Sequence, residues 1–252
     1  MKRFLAAMRF LTIVPIPGAM GTASEDLAGS VPFFPVVGLL LGAAAGAAAW
    51  ALSAFAPPML AAAVMVVLLL TFSGGLHMDG LSDSADGMLS SRPRERILEI
   101  MKDSHVGAMG VIAIACVLLV KFAAMASLAP GRFWAAAALM PLAGRCAIVV
   151  NMALLQYVRP EGLGKIFCRR RAVVPAVWAV LVLAGAAWAL FAWQGLILAG
   201  ICVGVSAAVA AYVYRKIGGS TGDTFGAACE LVELVPAIVL AAWPMHAARW
   251  IQ

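Results

Sequence analysis

Charge is what this sequence has least of. Asp, Glu, Lys and Arg make up 12% of its 252 residues, about half the share of a soluble domain. Residues 27–78 contain none of the four, and 64% of the chain is hydrophobic. That composition excludes an ordinary soluble core and implies an integral membrane protein. Paired cysteines are also lacking. Cys116, Cys146, Cys168, Cys202 and Cys229 are widely spaced and form no Cys-x-x-Cys motif. Zinc ribbons, iron–sulfur centres and a disulfide framework are therefore not expected; the thiols read as small core residues. The net charge of +6 fits basic loops facing an anionic membrane surface, and no nucleic acid partner is expected.

What is present is a series of apolar runs. The start, MKRFLAAMRFLTIVPIPG, is basic and interrupted by Arg9, which suits a short amphipathic helix lying on the membrane interface rather than a signal peptide. Runs at 32–55 and 59–73 are separated by Ala56-Pro57-Pro58, a turn signal. Further spans read at 106–128 and 133–157. The uncharged segment 172–214 fits two, broken near Trp193-Gln194-Gly195, and a last span covers 224–243. The expected fold is all-α: a polytopic membrane helix bundle of about seven transmembrane helices, one integral membrane domain over residues 1–252. With the N-terminus in the cytoplasm, alternation leaves only Arg132 and Arg249 outside and puts Lys121 and Arg145 within spans. Every other Lys and Arg, including Arg169, Arg170 and Arg171, falls on the cytoplasmic side.

Half of the acidic residues gather in one stretch, GGLHMDGLSDSADGMLSSRPRERILEIMKDSHVGAMG. Asp79, Asp83 and Asp86 have helical offsets that place them within roughly 60° of one another. Three carboxylates on one face repel unless a cation lies between them. Hard oxygen donors suit Mg2+, which commonly bridges to substrate phosphates. Gly80 and Gly87 remove side-chain bulk where a phosphate approaches the backbone; solvated acids in a loop are the simpler alternative. The segment 92–102 reads as an amphipathic surface helix with Glu95 and Glu99 exposed, and Lys102 with Asp103 returns toward the site.

A second motif, Gly218-Gly219-Ser220-Thr221-Gly222-Asp223, precedes the last span on the same membrane face. Its amides, at Gly219, Thr221 and Gly222, form a candidate anion site at a helix N-terminus. Asp223 is a candidate metal ligand or general base, and plain helix capping is the alternative. Intramembrane Arg145 either holds a pyrophosphate or pairs with an acid such as Glu230; Lys121 reads as structural. His77 and His105 flank the acidic stretch as candidates for substrate binding or proton exchange.

At these residues the sequence resembles the cobalamin synthase family, the adenosylcobinamide-GDP ribazoletransferases. The resemblance spans essentially the whole chain. It rests on RFLTIVPIPG, GGLHMDGLSDSADG, EIMKDSHVGAMG, the Gly144-Arg145 pair, and GGSTGDTFGA followed by ELVEL. The resemblance implies an arginine at the position of His105, where this sequence departs from it. The resemblance implies a magnesium-dependent enzyme of the cell inner membrane with its active site facing the cytoplasm. It joins adenosylcobinamide-GDP to α-ribazole or its 5′-phosphate and releases GMP. Its partners would be corrinoid and ribazole substrates and membrane lipid, with a homo-oligomer left open.

The mechanism this implies is phosphoryl transfer. Asp79, Asp83 and Asp86 hold magnesium, and Asp223 or His77 takes the attacking hydroxyl's proton. Glycine-turn amides with Lys102 or Arg145 stabilise the transferring group. Two other readings stand beside it. CDP-alcohol phosphotransferases also carry an Asp-rich D-x-x-D-G helix, but DGLSDSADG lacks the following Ala-Arg. An ion-coupled secondary transporter would show inverted repeats and acids near the midplane, and no clear repeat is present.

Overall fold

The computed structural model describes residues 1–168 and 172–243. The topology arginines Arg169, Arg170, Arg171 and Arg249 lie outside the described residues. The chain is all α-helical, in this order: α1 (Lys2–Leu11), α2 (Ser24–Ala28), a 3-10 turn Val31–Phe33, α3 (Phe34–Ser53), α4 (Pro58–Ser73), α5 (Leu76–Met88), α6 (Arg94–Ile100), α7 (Ala108–Ala126), α8 (Pro130–Leu154), α9 (Leu163–Phe167), α10 (Val173–Ile217), α11 (Gly222–Glu233) and α12 (Val235–Ala242).

Helix α8 is the axis of the bundle. It packs against α3, α10, α11 and α12, and 89% of its apolar window is buried. Glycine spacing lets α3 approach it. A Cβ on Gly42 would collide with the Ala138 carbonyl, and one on Gly38 would reach the Leu142 backbone at 2.9 Å. Small residues one turn apart allow such backbone contact where lipid supplies no hydrophobic drive between helices. Asn151 of α8 donates through Nδ2 to Ser206 Oγ of α10 at 2.9 Å, so a polar tie holds the opposite face.

The polytopic bundle is as expected, but the span count differs. Among the described residues five helices are long and apolar enough to cross a membrane, or six if the bent pair α4–α5 counts as one crossing. Two local features account for the departure from seven. Helix α4 has only 16 residues, about 24 Å at helical rise, short of a roughly 30 Å hydrocarbon core. It meets α5 at 91° through Gly74 and Gly75, whose φ values of 60° and 77° are accessible to glycine at little cost. Segment 173–217 runs as one helical element broken by non-helical angles at Phe191 and Ala192, just before the expected Trp193-Gln194-Gly195. Ala192 takes φ 48°, and a Cβ on Gly195 would collide with the Ala187 carbonyl. Residues eight apart meet only where the chain turns back on itself.

Helix α1 buries Ala6, Ala7 and Leu11. Phe10 stacks on Phe34 and lies 4.6 Å, centroid to centroid, from Phe167 of α9. The N-terminal helix is thus a wall of the bundle's end, not a detached segment.

Candidate active site

The site is built where α5 crosses α11. Gly80 and Gly226 are the crossing point: their Cα atoms face each other so closely that a Cβ on Gly80 would lie 2.7 Å from the Asp223 carbonyl oxygen. Gly80 therefore admits a helix backbone and brings Asp79 beside Asp223. The next contribution comes from the loop after α8. Ser220 N donates to Gln156 O at 2.7 Å and Val158 N to Ser220 O at 2.9 Å. This short parallel bridge seats residues 156–158 against the glycine turn. A Cβ on Gly219 would collide with the Gln156 carbonyl, so Gly219 serves the bridge rather than an anion.

The bridge delivers Arg159. Its Nη2 lies 2.7 Å from Asp223 Oδ2 and donates to the Met101 carbonyl at 3.0 Å; its buried Nε has no partner. Thr221 is spent on capping α11: its Oγ1 accepts from Thr224 N, and Thr224 Oγ1 accepts from Thr221 N. Gly222, by contrast, faces open space. Asp83 is half-buried among the carboxylates of Asp79, Asp223 and Asp86, with Arg159 as the opposing cation.

Asp79, Asp223 and Arg159, but not Asp83, line a cavity of about 250 Å³. Asp79, Asp223, Arg159 and Gly222 form its polar end, and Phe10, Ile148, Met152, Phe167 and Phe225 give it apolar walls. His77 and Tyr157 also line it. His77 is 3% exposed, and neither ring nitrogen has a hydrogen-bond partner. Burial pushes the Tyr157 phenol up from its ordinary range, so it remains a hydroxyl.

Several expected site residues are elsewhere. Asp86 turns away to cap α7: its Oδ2 accepts from Gly107 N at 2.7 Å and its Oδ1 from Gly110 N at 2.8 Å. A carboxylate over a helix N-terminus satisfies orphan amides and the dipole together. Asp86→Ala is accordingly expected to lower stability by about 0.5–2 kcal/mol, as the loss of a cap does, measured as a lower unfolding midpoint. Gly87 packs on Ile97 and Met101, leaving no approach for a phosphate. Lys102, Asp103 and His105 are exposed and do not line the cavity. Asp103 pairs with His105 at 2.6 Å, and that bond holds its carboxyl below the usual range.

Arg145 is likewise withdrawn from substrate. It is 2% exposed, and its Nη1 binds Glu233 Oε2 at 2.6 Å. Lys121 binds Glu230 at 2.9 Å and Glu233 at 3.0 Å. The expected acid, Glu230, thus pairs with the lysine, and Glu233 takes the arginine.

Among the described residues no group of three or more His, Cys, Asp or Glu is gathered tightly enough to enclose a metal unaided. Magnesium rarely needs such a cage; one or two carboxylates plus phosphate oxygens and water suffice. Asp79 and Asp83 form no side-chain hydrogen bond or ion pair among the described residues and lie one helical turn apart, so this donor pair fits such an ion.

Arg159 and Tyr157 are the residues that sequence reasoning passed over. Arg159 stood only among the basic residues of its membrane face. Its partner lies 64 positions away, and only the bridge between Tyr157 and Ser220 joins them.

A family model described as cobalamin-5-phosphate synthase matches residues 3–241. The chain is 40% identical to the adenosylcobinamide-GDP ribazoletransferase of Desulforamulus reducens, covering 90% of this chain and 91% of that protein. It is 38% identical to the enzyme of that name from Klebsiella pneumoniae subsp. pneumoniae, with 93% and 97% covered. For that of Geotalea daltonii the identity is 33%, with 96% and 98% covered. No solved structure matches the chain.

Proposed function

The chain belongs to the cobalamin-5-phosphate synthase family and is an adenosylcobinamide-GDP ribazoletransferase; from that premise we propose that the transfer runs at the polar end of the cavity between α5 and α11. The observation that carries this assignment is the convergence of Asp79, Asp83, Asp223 and Arg159 from three separate segments. The reaction joins adenosylcobinamide-GDP to α-ribazole or its 5′-phosphate and releases GMP.

Asp79 and Asp83 would hold magnesium in this proposal. Bound there, it would supply neutralisation of pyrophosphate charge. Asp223 accepts the proton of the ribazole hydroxyl as that oxygen attacks the phosphorus attached to cobinamide. Arg159 now neutralises Asp223; when a phosphate arrives, its planar fork turns to the phosphate oxygens and frees the carboxylate. Gly222, at the N-terminus of α11, leaves open the space that a side chain would fill, which gives the transferring group room beside Asp223.

The site face is proposed to be cytoplasmic. Helix ends at that face carry Lys2, Arg3, Arg94, Arg159, Arg215 and Lys216, the pattern of an inner-facing surface. Helix α1 lies along the interface there, with the exposed Lys2 and Arg3 toward lipid headgroups. If the α4–α5 pair is one crossing and the two limbs of α10 are separate crossings, the bundle has seven, the number the hydropathy pattern implies.

The test is direct. Purified protein in lipid vesicles, given adenosylcobinamide-GDP, α-ribazole 5′-phosphate and magnesium, should release GMP one for one with the cobamide formed. Absence of GMP, or CMP release from a CDP-alcohol instead, would overturn the assignment.

A further inference from the structure

The cavity's apolar depth is unused by the chemistry above, and it contains a polar group without a partner. His77 is almost fully buried, lines the cavity and leaves both ring nitrogens unpaired. Such burial is costly unless something supplies the missing bond. His77 is fixed against α11: a Cβ placed on Gly226 would lie 3.0 Å from the His77 carbonyl oxygen and 3.3 Å from its Cα. Ile148 and Met152, three and seven residues beyond Arg145 on α8, stand on the same helical face and line the cavity with it. Around it the walls are aromatic and aliphatic, with Phe10 and Phe167 in mutual contact and Phe225 contributed by α11.

We infer that His77 and these walls form the subsite for the base of ribazole, with the imidazole N–H donating to the ring nitrogen that is not bonded to ribose. This rests on the function proposed above and assigns His77 recognition rather than proton transfer. A benzimidazole base is flat, uncharged and apolar over most of its edge, with one acceptor nitrogen. One donor in an apolar slot matches it. Guanine, the other base in the reaction, carries several edge donors and acceptors that these walls would leave unpaired. At about 250 Å³ the cavity has room for one bicyclic base, and the corrin ring stays outside. A base seated on His77 leaves its ribose within the cavity that Asp223 also lines.

The probe is α-ribazole against the matching dimethylindole riboside, in which carbon replaces the acceptor nitrogen. Equilibrium dialysis with protein in vesicles measures both ligands without turnover. Wild-type protein should prefer α-ribazole by about tenfold or more, and His77→Ala should reduce the preference to about twofold or less. In turnover, His77→Ala should raise KM for α-ribazole and leave KM for adenosylcobinamide-GDP within about twofold. His77→Gln, which retains a donor, should recover part of the preference and guards against a folding defect in the alanine variant. The inference is overturned if wild-type protein binds the two ribosides equally or if the preference survives in His77→Ala. It is also overturned if KM for adenosylcobinamide-GDP rises instead, assigning the slot to guanine, or if only kcat falls, assigning His77 to proton transfer. Failure of GMP release in wild-type protein would sink the functional proposal, and the dialysis would still report on the subsite.

Discussion

Asp223→Asn should lower kcat for GMP release by roughly a thousandfold, within the 10²–10⁴ range of general-base contributions. The amide keeps the size of the carboxylate and still accepts a hydrogen bond from Arg159, so the helix crossing at Gly80 and Gly226 stays intact. Asparagine cannot take the hydroxyl proton. KM for α-ribazole should change little, because the base is proposed to be held by His77 and the apolar walls, not by Asp223. Stability should also change little: the Arg159–Asp223 pair is partly exposed, at 14% and 21% for the two side chains, where ion pairs contribute modestly. Asp103→Asn is the matched control. It removes an acid from the conspicuous stretch that also carries Asp79 and Asp83, but from an exposed pair with His105, and should retain near-normal turnover. A rate for Asp223→Asn within tenfold of wild type would remove Asp223 from the proton-transfer role.

The second large effect is on stability. Glu233→Gln should destabilise the folded protein by about 3–5 kcal/mol, the cost of leaving a buried charge without its partner. Glu233 answers two cations at once, Lys121 on α7 and Arg145 on α8, and it is itself 2% exposed. Its loss leaves Arg145 without an ion-pair partner among the described residues, while Lys121 retains Glu230. Glu230→Gln should therefore cost less, since Lys121 keeps Glu233. The double variant Arg145→Met, Glu233→Met should recover part of the loss, as apolar replacements of buried pairs often do. Thermal unfolding in detergent, with the fraction retained in membranes as a second readout, ranks the variants. Equal losses for Glu230→Gln and Glu233→Gln would contradict the network as drawn.

Much of this architecture was legible in the hydrophobic runs, because a bilayer demands long apolar helices whatever their sequence details. What those runs left open was how consecutive helices turn. The right angle between α4 and α5 rests on two left-handed glycines, Gly74 and Gly75, which a hydropathy window treats as filler. The break in α10 at Phe191 and Ala192 was marked to within a few residues by Trp193-Gln194-Gly195, and Gly195 admits the reversed chain against the Ala187 carbonyl; the sharpness of the reversal was not marked. The site divides in the same way. Asp79, Asp83 and Asp223 were readable because both motifs fall on one membrane face. Asp86 has the same helical phase as Asp79 and Asp83, yet it binds the amides of Gly107 and Gly110. Helical phase gives direction but not the neighbour that waits there. Arg145 was recognisable as an arginine needing a partner; the choice of Glu233 over Glu230 depends on how α8 and α11 cross. Arg159 depends on a two-strand bridge between loops, a contact with no signature in either segment.

Metal binding separates most directly the carboxylates that do the chemistry from those that do not. Mn2+, used in place of magnesium and followed by electron paramagnetic resonance in the presence of adenosylcobinamide-GDP, reports binding without turnover. Asp79→Asn and Asp83→Asn should each weaken the Mn2+ affinity by about tenfold or more, since each removes one of few protein ligands. Asp86→Asn should bind Mn2+ like wild type while unfolding at a lower temperature. Unchanged affinity in Asp79→Asn and Asp83→Asn, or a loss in Asp86→Asn as large as theirs, would contradict the assignment of this cavity end as the reaction site.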